Sequence, residues 1–171
     1  MPDFTLPFVE APRADPRTEI GSAEDCCQAA VRLIGSSERV LTMLTHSLDT
    51  PLYHHPEVVN AIKRFVLRPR FTRVRVLLLS TQRVAYQNHP FVDIARKLTS
   101  SIEIRNATAA FREYPGAYLV ADDHSSLVLP LRERWNGLYE PKNPMISLTM
   151  LRHFDTGWNE CTQRRSILLA G

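Results

Sequence analysis

The sequence is poor in the residues that build disulfide and metal frameworks. Three cysteines occur among its 171 residues, and two of them, Cys26 and Cys27, are adjacent. This odd number and this spacing favour neither a disulfide framework nor a CxxC redox pair. Neighbouring residues on a helix point about 100° apart, which does not suit a structural zinc site. We therefore expect free thiols, no metal and a reducing, cytoplasmic environment.

Glycine is also scarce. The six glycines are scattered, and none of them belongs to a GxGxxG, GxxxxGK[ST] or GxSxG pattern. Those patterns supply the phosphate-binding loops of dinucleotide-binding and P-loop enzymes and the nucleophile elbow of hydrolases. The sequence therefore predicts no nucleotide cofactor, and it indicates no cofactor of another kind.

Long hydrophobic runs are absent as well. No segment approaches the roughly 18 apolar residues of a membrane span, and residues 1–10 lack the basic and apolar regions of a secretory signal. No membrane partner is expected. The hydrophobic fraction of 44% and the charged fraction of 23% are those of an ordinary globular protein. A chain of this length buries roughly 70% of its unfolded surface, which is enough to form a stable core without disulfide bonds or a structural metal.

The apolar residues follow alternating helical and strand periods. Prolines mark residues 1–20 as an extended arm, and residues 21–171 are expected to form a single domain. Helices are predicted at 22–36, 56–68 and 90–99 and from 143 onward, and strands at 39–45, 73–79, 102–105, 117–121 and 127–129. This order favours an α/β fold with a mixed, largely parallel sheet flanked by helices.

Four polar residues follow predicted strands and are the candidate catalytic residues. His46 and Asp49 come after the first strand, His89 after the second, and Asp122 after the strand at 117–121. In parallel α/β folds ligands bind beyond the carboxyl ends of the strands, where imidazoles and carboxylates could move protons. The alternative is that these side chains cap backbone groups and form turns.

A basic stretch without any acidic residue lies between Glu57 and Asp93. Its residues Arg70, Arg73 and Arg75 are the candidate ligand-binding residues, because clustered arginines bind phosphate groups. Nucleic acid is a weaker possibility, since no interleaved aromatic residues provide a stacking platform. The same cations could instead complement a helix C-terminus or protect a strand from aggregation.

Several segments resemble one half of a phospholipase D-like domain. They are RVLTMLT with the loop TPLYHHPEV, RVRVLLLS, YLVADDHSSLVLP and a final helix that contains FDTGW. Residues 22–169 as a whole are similar to uncharacterised bacterial members of that superfamily. The resemblance implies a phospholipase D-like α/β fold. It also implies a homodimer or a protein partner, since active members place two such halves face to face.

The catalytic motif of that superfamily is H-x-K-x4-D, in which the histidine is the nucleophile and the lysine holds the phosphate. Aligning Asp122 with its aspartate places Pro115 and Ala117 at the histidine and lysine positions, and aligning Asp123 places Gly116 and Tyr118 there. The resemblance thus implies the fold without the signature reaction. We therefore expect a non-catalytic binding or interaction module for a phosphate-bearing or other anionic ligand. The alternatives are a hydrolase or transferase that uses the His/Asp crevice, and a nucleic-acid-binding adaptor.

Overall fold

The computed structural model describes residues 17–48, 50–80 and 88–161, and within these ranges it shows a seven-stranded mixed sheet between two helical layers. The strands are β1 Thr18–Ile20, β2 Val40–Thr45, β3 Arg73–Leu78, β4 Ile102–Asn106, β5 Ala117–Ala121, β6 Ser125–Leu129 and β7 Gly137–Glu140. The helices are α1 Ala23–Ser36, α2 Pro51–His54, α3 Pro56–Val66, α4 Pro90–Lys97 and α5 Pro144–Glu160, with a 3₁₀ turn at Phe111–Glu113. The predicted α/β class is confirmed.

The strand order in the sheet is β1-β7-β6-β5-β2-β3-β4. β2, β3 and β4 are parallel, as their helical crossovers require. The parallel part is smaller than the prediction of a largely parallel sheet, because β5 enters antiparallel to β2 and the next three pairings are also antiparallel. Because of this reversal, the loop that follows β2 lies beside the segment that precedes β5, at the same end of the strands.

The end of the predicted N-terminal arm belongs to the sheet. Thr18–Ile20 pair with β7 as an edge strand, in the register Thr18 with Tyr139. Both strands are too short to show a period in the sequence, so neither was predicted. The rest of the arm, residues 1–16, lies outside the described residues.

Side chains on the two sides of the sheet form separate cores. The first face, with Leu41, Met43, Val74 and Val76, is covered by α1 to α4. The second face carries Leu44, Leu77 and Tyr118 and packs against Phe154 and Trp158 of α5. No helix in the described part of the chain has both the length and the hydropathy needed to cross a bilayer.

The adjacent cysteines belong to the first core, as the helical pattern predicts. Ser22 caps α1, because its Oγ accepts a hydrogen bond from the Asp25 N–H at 3.1 Å. Cys26 and Cys27 are both buried free thiols. Burial raises the pKa of Cys26 to about 12 and that of Cys27 to about 11, so both remain protonated at neutral pH.

Candidate functional site

A cavity of about 450 Å³ opens at the carboxyl end of β2. Because β2 is antiparallel to β5, its end lies beside the start of β5, and Leu44 pairs with Tyr118 there. α2 and the loop that follows β6 form the remaining walls. The cavity has the size of a small-molecule site.

The inner wall of the cavity is apolar. It consists of side chains from the first face of the sheet, namely Ala117, Leu119, Leu127 and Leu129. β5 and β6 form a hairpin in which Leu119 pairs directly with Leu127, so these side chains project from the same side of the sheet. The hairpin thus supplies a hydrophobic surface for the body of a ligand.

The opposite wall carries three buried polar atoms that have no hydrogen-bond partner among the described residues. They are His46 Nδ1, Thr50 Oγ1 and the hydroxyl of Tyr53. Buried polar groups are nearly always hydrogen-bonded in folded proteins, and an unpaired group costs about 1–3 kcal/mol. Three such atoms around one cavity indicate that polar groups other than those of the described residues satisfy them.

Local structure explains why these atoms are unpaired. Thr50 stands at the N-cap of α2 but makes no capping bond with its side chain, and Pro51 at the first helical position removes one N–H. Tyr53 belongs to α2 and its side chain is fully buried, and this burial raises the pKa of its hydroxyl well above the usual value. The hydroxyl of Thr45 lies close enough to oppose that shift and donates its own proton to the Ser47 carbonyl at 3.0 Å, but the Tyr53 hydroxyl is not hydrogen-bonded to it.

His46 faces the cavity as a neutral imidazole. Burial lowers its pKa below the usual value of 6.5, the nearby Arg132 lowers it further, and Glu133 opposes them. A neutral imidazole can present Nδ1 either as a donor or as an acceptor. His46 can therefore bind a ligand group without carrying a charge into the apolar cavity.

Three residues from the loop after β6 form the mouth of the cavity. Arg132 is held there by a 3.2 Å hydrogen bond from its guanidinium to the Tyr114 carbonyl, and its Nε lies 3.8 Å from Glu133 Oε2. Glu133 is largely exposed, and Trp135 is half-buried against the first core. The entrance therefore carries the guanidinium of Arg132 and, beside it, the carboxylate of Glu133, which is the more exposed of the two.

His89 and Asp122, which were also predicted for the crevice, do not line this cavity. His89 is buried, with Nδ1 accepting from the Phe91 N–H at 3.2 Å and Nε2 lying 2.8 Å from the Leu48 carbonyl. It therefore caps α4 and fixes the loop after β2, with its ring 4.1 Å from that of His54. Asp49 lies outside the described residues.

Asp122 lies at the opposite edge of the sheet from His46. It follows β5, which runs antiparallel to β2, so the end of β5 adjoins the start of β2. The carboxylate accepts three backbone N–H groups, from Glu38 at 2.8 Å and from Arg39 and Val40 at 2.9 Å each. Its place in the predicted crevice is therefore corrected, since the carboxylate holds the chain that leads into β2.

The predicted ligand-binding arginines also lie away from the cavity. Arg70 and Arg73 are exposed near the start of β3, at the same edge as Asp122. Arg75 lies on the second face, where it bonds Asp155 Oδ1 at 3.0 Å and Thr42 Oγ1 at 3.2 Å and stacks on Phe154. Arg75 is thus engaged in holding α5 to the sheet.

Sequence reasoning found His46 but missed the rest of the cavity. Thr50 and Tyr53 lie in the segment TPLYHHPEV, which was predicted to be a loop. Their polar atoms point at the cavity only because α2 forms there. Arg132 and Trp135 follow the hairpin and carry no motif. Among residues 17–48, 50–80 and 88–161, no three His, Cys, Asp or Glu side chains cluster so as to hold a metal ion.

Comparison with known proteins identifies a family and a fold. A family model described as a domain of unknown function, DUF7931, matches residues 22–167. None of the curated proteins matches the sequence significantly. Nuc from Salmonella typhimurium, a phospholipase D family member, superposes with a TM-score of 0.62 at 13% identity, covering 88% of this chain and 100% of Nuc.

Two further solved structures are similar. NucT from Helicobacter pylori gives a TM-score of 0.56 at 11% identity and covers 85% of this chain and 97% of NucT. TrmBL2, an archaeal chromatin protein with a novel mode of DNA binding, gives 0.59 at 11% identity over 93% of this chain and 58% of TrmBL2. These likenesses show that the chain has a phospholipase D-like fold, as the sequence resemblance implies.

Proposed function

The chain belongs to the DUF7931 family, and from its fold and its cavity we propose that it is a non-catalytic module that binds a small anionic ligand at the carboxyl end of β2. The observation that carries this proposal is the convergence on one cavity of three buried polar atoms that no described residue pairs, those of His46, Thr50 and Tyr53. Other buried polar atoms of the described residues also lack a partner but do not line this cavity, namely those of Arg75, Asn106, Ser125, Ser126 and Ser147.

The chemistry of the walls defines the ligand. Leu119 and Leu127 accept an apolar body, the three unpaired atoms bind hydroxyl or similar polar groups, and Arg132 at the mouth attracts an anion. Arginine binds phosphate through charge-assisted hydrogen bonds, which are about twice as strong as neutral ones. A phosphate monoester with a small apolar substituent therefore fits the site.

The position of the cavity supports binding without catalysis. When Asp122 is aligned with the aspartate of the H-x-K-x4-D motif, the lysine position is Ala117, which lines the cavity. The histidine position is Pro115, just before β5. The cavity therefore lies where the superfamily's catalytic pair is expected, but a methyl group and a proline ring replace the phosphate-binding cation and the nucleophile.

Calorimetric titration with phenyl phosphate tests the proposal, since this probe combines a small ring with a phosphate. We expect binding at one site, weakened by about 10- to 100-fold in Arg132→Gln, because a charge-assisted bond contributes about 1.5–3 kcal/mol. Arg134→Gln is the matched control, as this exposed neighbour does not line the cavity and its loss leaves the affinity unchanged. Equal affinities of the two variants would contradict the proposal.

One observation favours the enzymatic alternative, a hydrolase or transferase. His46 is held neutral with an unpaired Nδ1 in the cavity, which is the state that a general base requires. Turnover of phenyl phosphate by the wild type that disappears in His46→Gln would establish it. Tight binding of phenyl phosphate without release of phenol supports the non-catalytic module.

A homodimer is proposed on the second face of the sheet. An apolar groove of about 440 Å³ runs beside α5, lined by Val128, Leu138, Ile146 and Met150, and Met145 of α5 is 78% exposed beside it. Sedimentation velocity of the full chain should show a dimer, and Met145→Glu should shift it to the monomer without unfolding, because this side chain contributes little to the core. A wild type that sediments as a monomer at high concentration would exclude the dimer.

A further inference from the structure

The edge of the sheet opposite the cavity carries an exposed aromatic side chain among arginines. Phe71 lies in the turn between α3 and β3 and is 74% exposed, which is a large exposed fraction for a phenylalanine. Arg70 and Arg73 flank it in the chain and are both exposed. Arg39 is also exposed and adjoins them, since the Arg73 N–H donates to the Arg39 carbonyl at 2.8 Å. We call Arg39, Arg70, Phe71 and Arg73 the basic rim.

The turn that bears the basic rim is held rigidly. The guanidinium of Arg68 donates to the carbonyls of Ser37 and Gly35, and so joins the turn to the end of α1. Thr72 is buried behind it. A fixed backbone with projecting side chains lowers the entropy cost of binding a partner.

The arginines of the basic rim do not serve to complement the dipole of the preceding helix α3. Lys63 and Arg64 stand in the last turn of α3 and complement its dipole, whereas Arg70 and Arg73 lie beyond that helix. Three acidic residues lie near the rim, and one of them, Asp123, is exposed in the same surface pocket as Arg39. Glu38 lies 4.0 Å from Arg70, both side chains being largely exposed, and the carboxylate of Asp122 is occupied by three backbone N–H groups. The guanidinium groups of Arg39, Arg70 and Arg73 are exposed and available to phosphate groups, while the Asp122 carboxylate faces the backbone.

We propose that the basic rim binds single-stranded nucleic acid, with a base stacked on Phe71 and the adjacent phosphates bound by Arg39, Arg70 and Arg73. Aromatic rings that alternate with cations are the pattern by which proteins bind single strands without sequence preference. A single strand is required because the bases of a duplex are not free to stack on a side chain. A bilayer fits less well, since Phe71 and the neighbouring Leu67 provide little apolar surface for insertion.

Fluorescence anisotropy of a short labelled oligothymidylate tests the proposal with the full chain. Phe71→Ala should lower the affinity by about 5- to 100-fold, the range that stacking of one base accounts for. The slope of log affinity against log salt should stay as in the wild type in that variant. Arg70→Gln with Arg73→Gln should reduce the steepness of that slope by about 0.7 for each lost phosphate contact.

Matched controls separate the rim from the rest of the surface. Leu148→Ala removes an exposed apolar side chain elsewhere, and Arg134→Gln with Arg152→Gln removes two exposed arginines elsewhere. Both control variants should bind the oligonucleotide as the wild type does. The cavity variant Arg132→Gln should also do so, which separates a failure of the proposed cavity ligand from a failure of nucleic-acid binding at the rim. The inference is overturned if the rim variants bind like the controls. It is also overturned if the wild type does not bind the oligonucleotide but binds phosphatidylglycerol vesicles, and Phe71→Ala loses this vesicle binding.

Discussion

Asp122 and Val40 are joined by two hydrogen bonds across the sheet. Asp122 Oδ1 accepts the Val40 N–H at 2.9 Å, and the Asp122 N–H donates to the Val40 carbonyl at 2.8 Å. Asp122 adopts a positive φ of 54°, a conformation that Asp tolerates better than most residues. The side chain thus supports the start of the central strand β2 from the end of β5.

Replacing Asp122 should therefore destabilise the fold. In Asp122→Ala three backbone N–H groups lose their acceptor and a residue with a Cβ stays at positive φ, so we expect a loss of about 2–4 kcal/mol in the free energy of unfolding. Urea denaturation measures it. Asp123→Ala is the control, since that largely exposed side chain should change stability by less than about 0.5 kcal/mol. Equal stability of the two variants would show that the carboxylate of Asp122 is dispensable.

Two helical glycines should respond to alanine in opposite directions. A Cβ at Gly157 of α5 would lie 2.7 Å from the ring of Phe111, whereas a Cβ at Gly35 of α1 meets nothing within 4 Å. Gly35→Ala should stabilise the protein by up to about 1 kcal/mol through helix propensity, and Gly157→Ala should destabilise it. Thermal unfolding compares them. A gain in stability for both variants would mean that the ring of Phe111 moves aside freely.

The pH dependence of stability should reflect two histidines. Burial lowers the pKa of His46 and of His153 below the ordinary value of 6.5. The unfolded chain therefore takes up protons first as the pH falls below about 6.5, and the free energy of unfolding should decrease from there towards pH 5. Urea midpoints in this range measure the decrease, and the double variant His46→Gln with His153→Gln should flatten it. A decrease of undiminished size in the double variant would assign it to other groups.

Two buried tyrosines distinguish an unpaired hydroxyl from a paired one. The hydroxyl of Tyr118 donates to the Met150 carbonyl at 3.2 Å and lies 2.7 Å from His153 Nδ1, whereas that of Tyr53 has no partner within residues 17–48, 50–80 and 88–161. Tyr118→Phe should lower the free energy of unfolding by about 1–2 kcal/mol, and Tyr53→Phe should leave it unchanged or raise it slightly. Chemical denaturation without ligand provides the comparison. A loss for Tyr53→Phe equal to that for Tyr118→Phe would reveal a hidden partner of Tyr53.

Long periodic elements of this fold could be predicted from the sequence. The apolar spacing located α1, α3, α4 and α5, and the aliphatic runs located the parallel strands β2 and β3, because their burial patterns extend over many residues. β1 and β7 were missed since three or four residues show no period, and their pairing joins distant parts of the chain. The four-residue helix α2 was missed for the same reason.

The site was harder to predict because it depends on strand direction. A parallel β5 would have brought Asp122 to the edge where His46 lies, but β5 is antiparallel to β2 and Asp122 lies at the other edge. Local sequence does not specify this direction. The same limit hid Arg132, which reaches the cavity only through the β5–β6 hairpin. The expectation that no aromatic residue is interleaved with the arginines overlooked Phe71, which stands between Arg70 and Arg73 and whose exposed ring only the structure shows.

The most direct test of the cavity as a ligand site is a crystal structure of the protein with 4-bromophenyl phosphate, in which anomalous scattering locates the bromine. We expect the bromine against Leu119 and Leu127, the phosphate at the guanidinium of Arg132, and ligand or ordered water on the hydroxyl of Tyr53. A cavity that holds only water at saturating ligand, or a bromine bound solely at the basic rim, would contradict it.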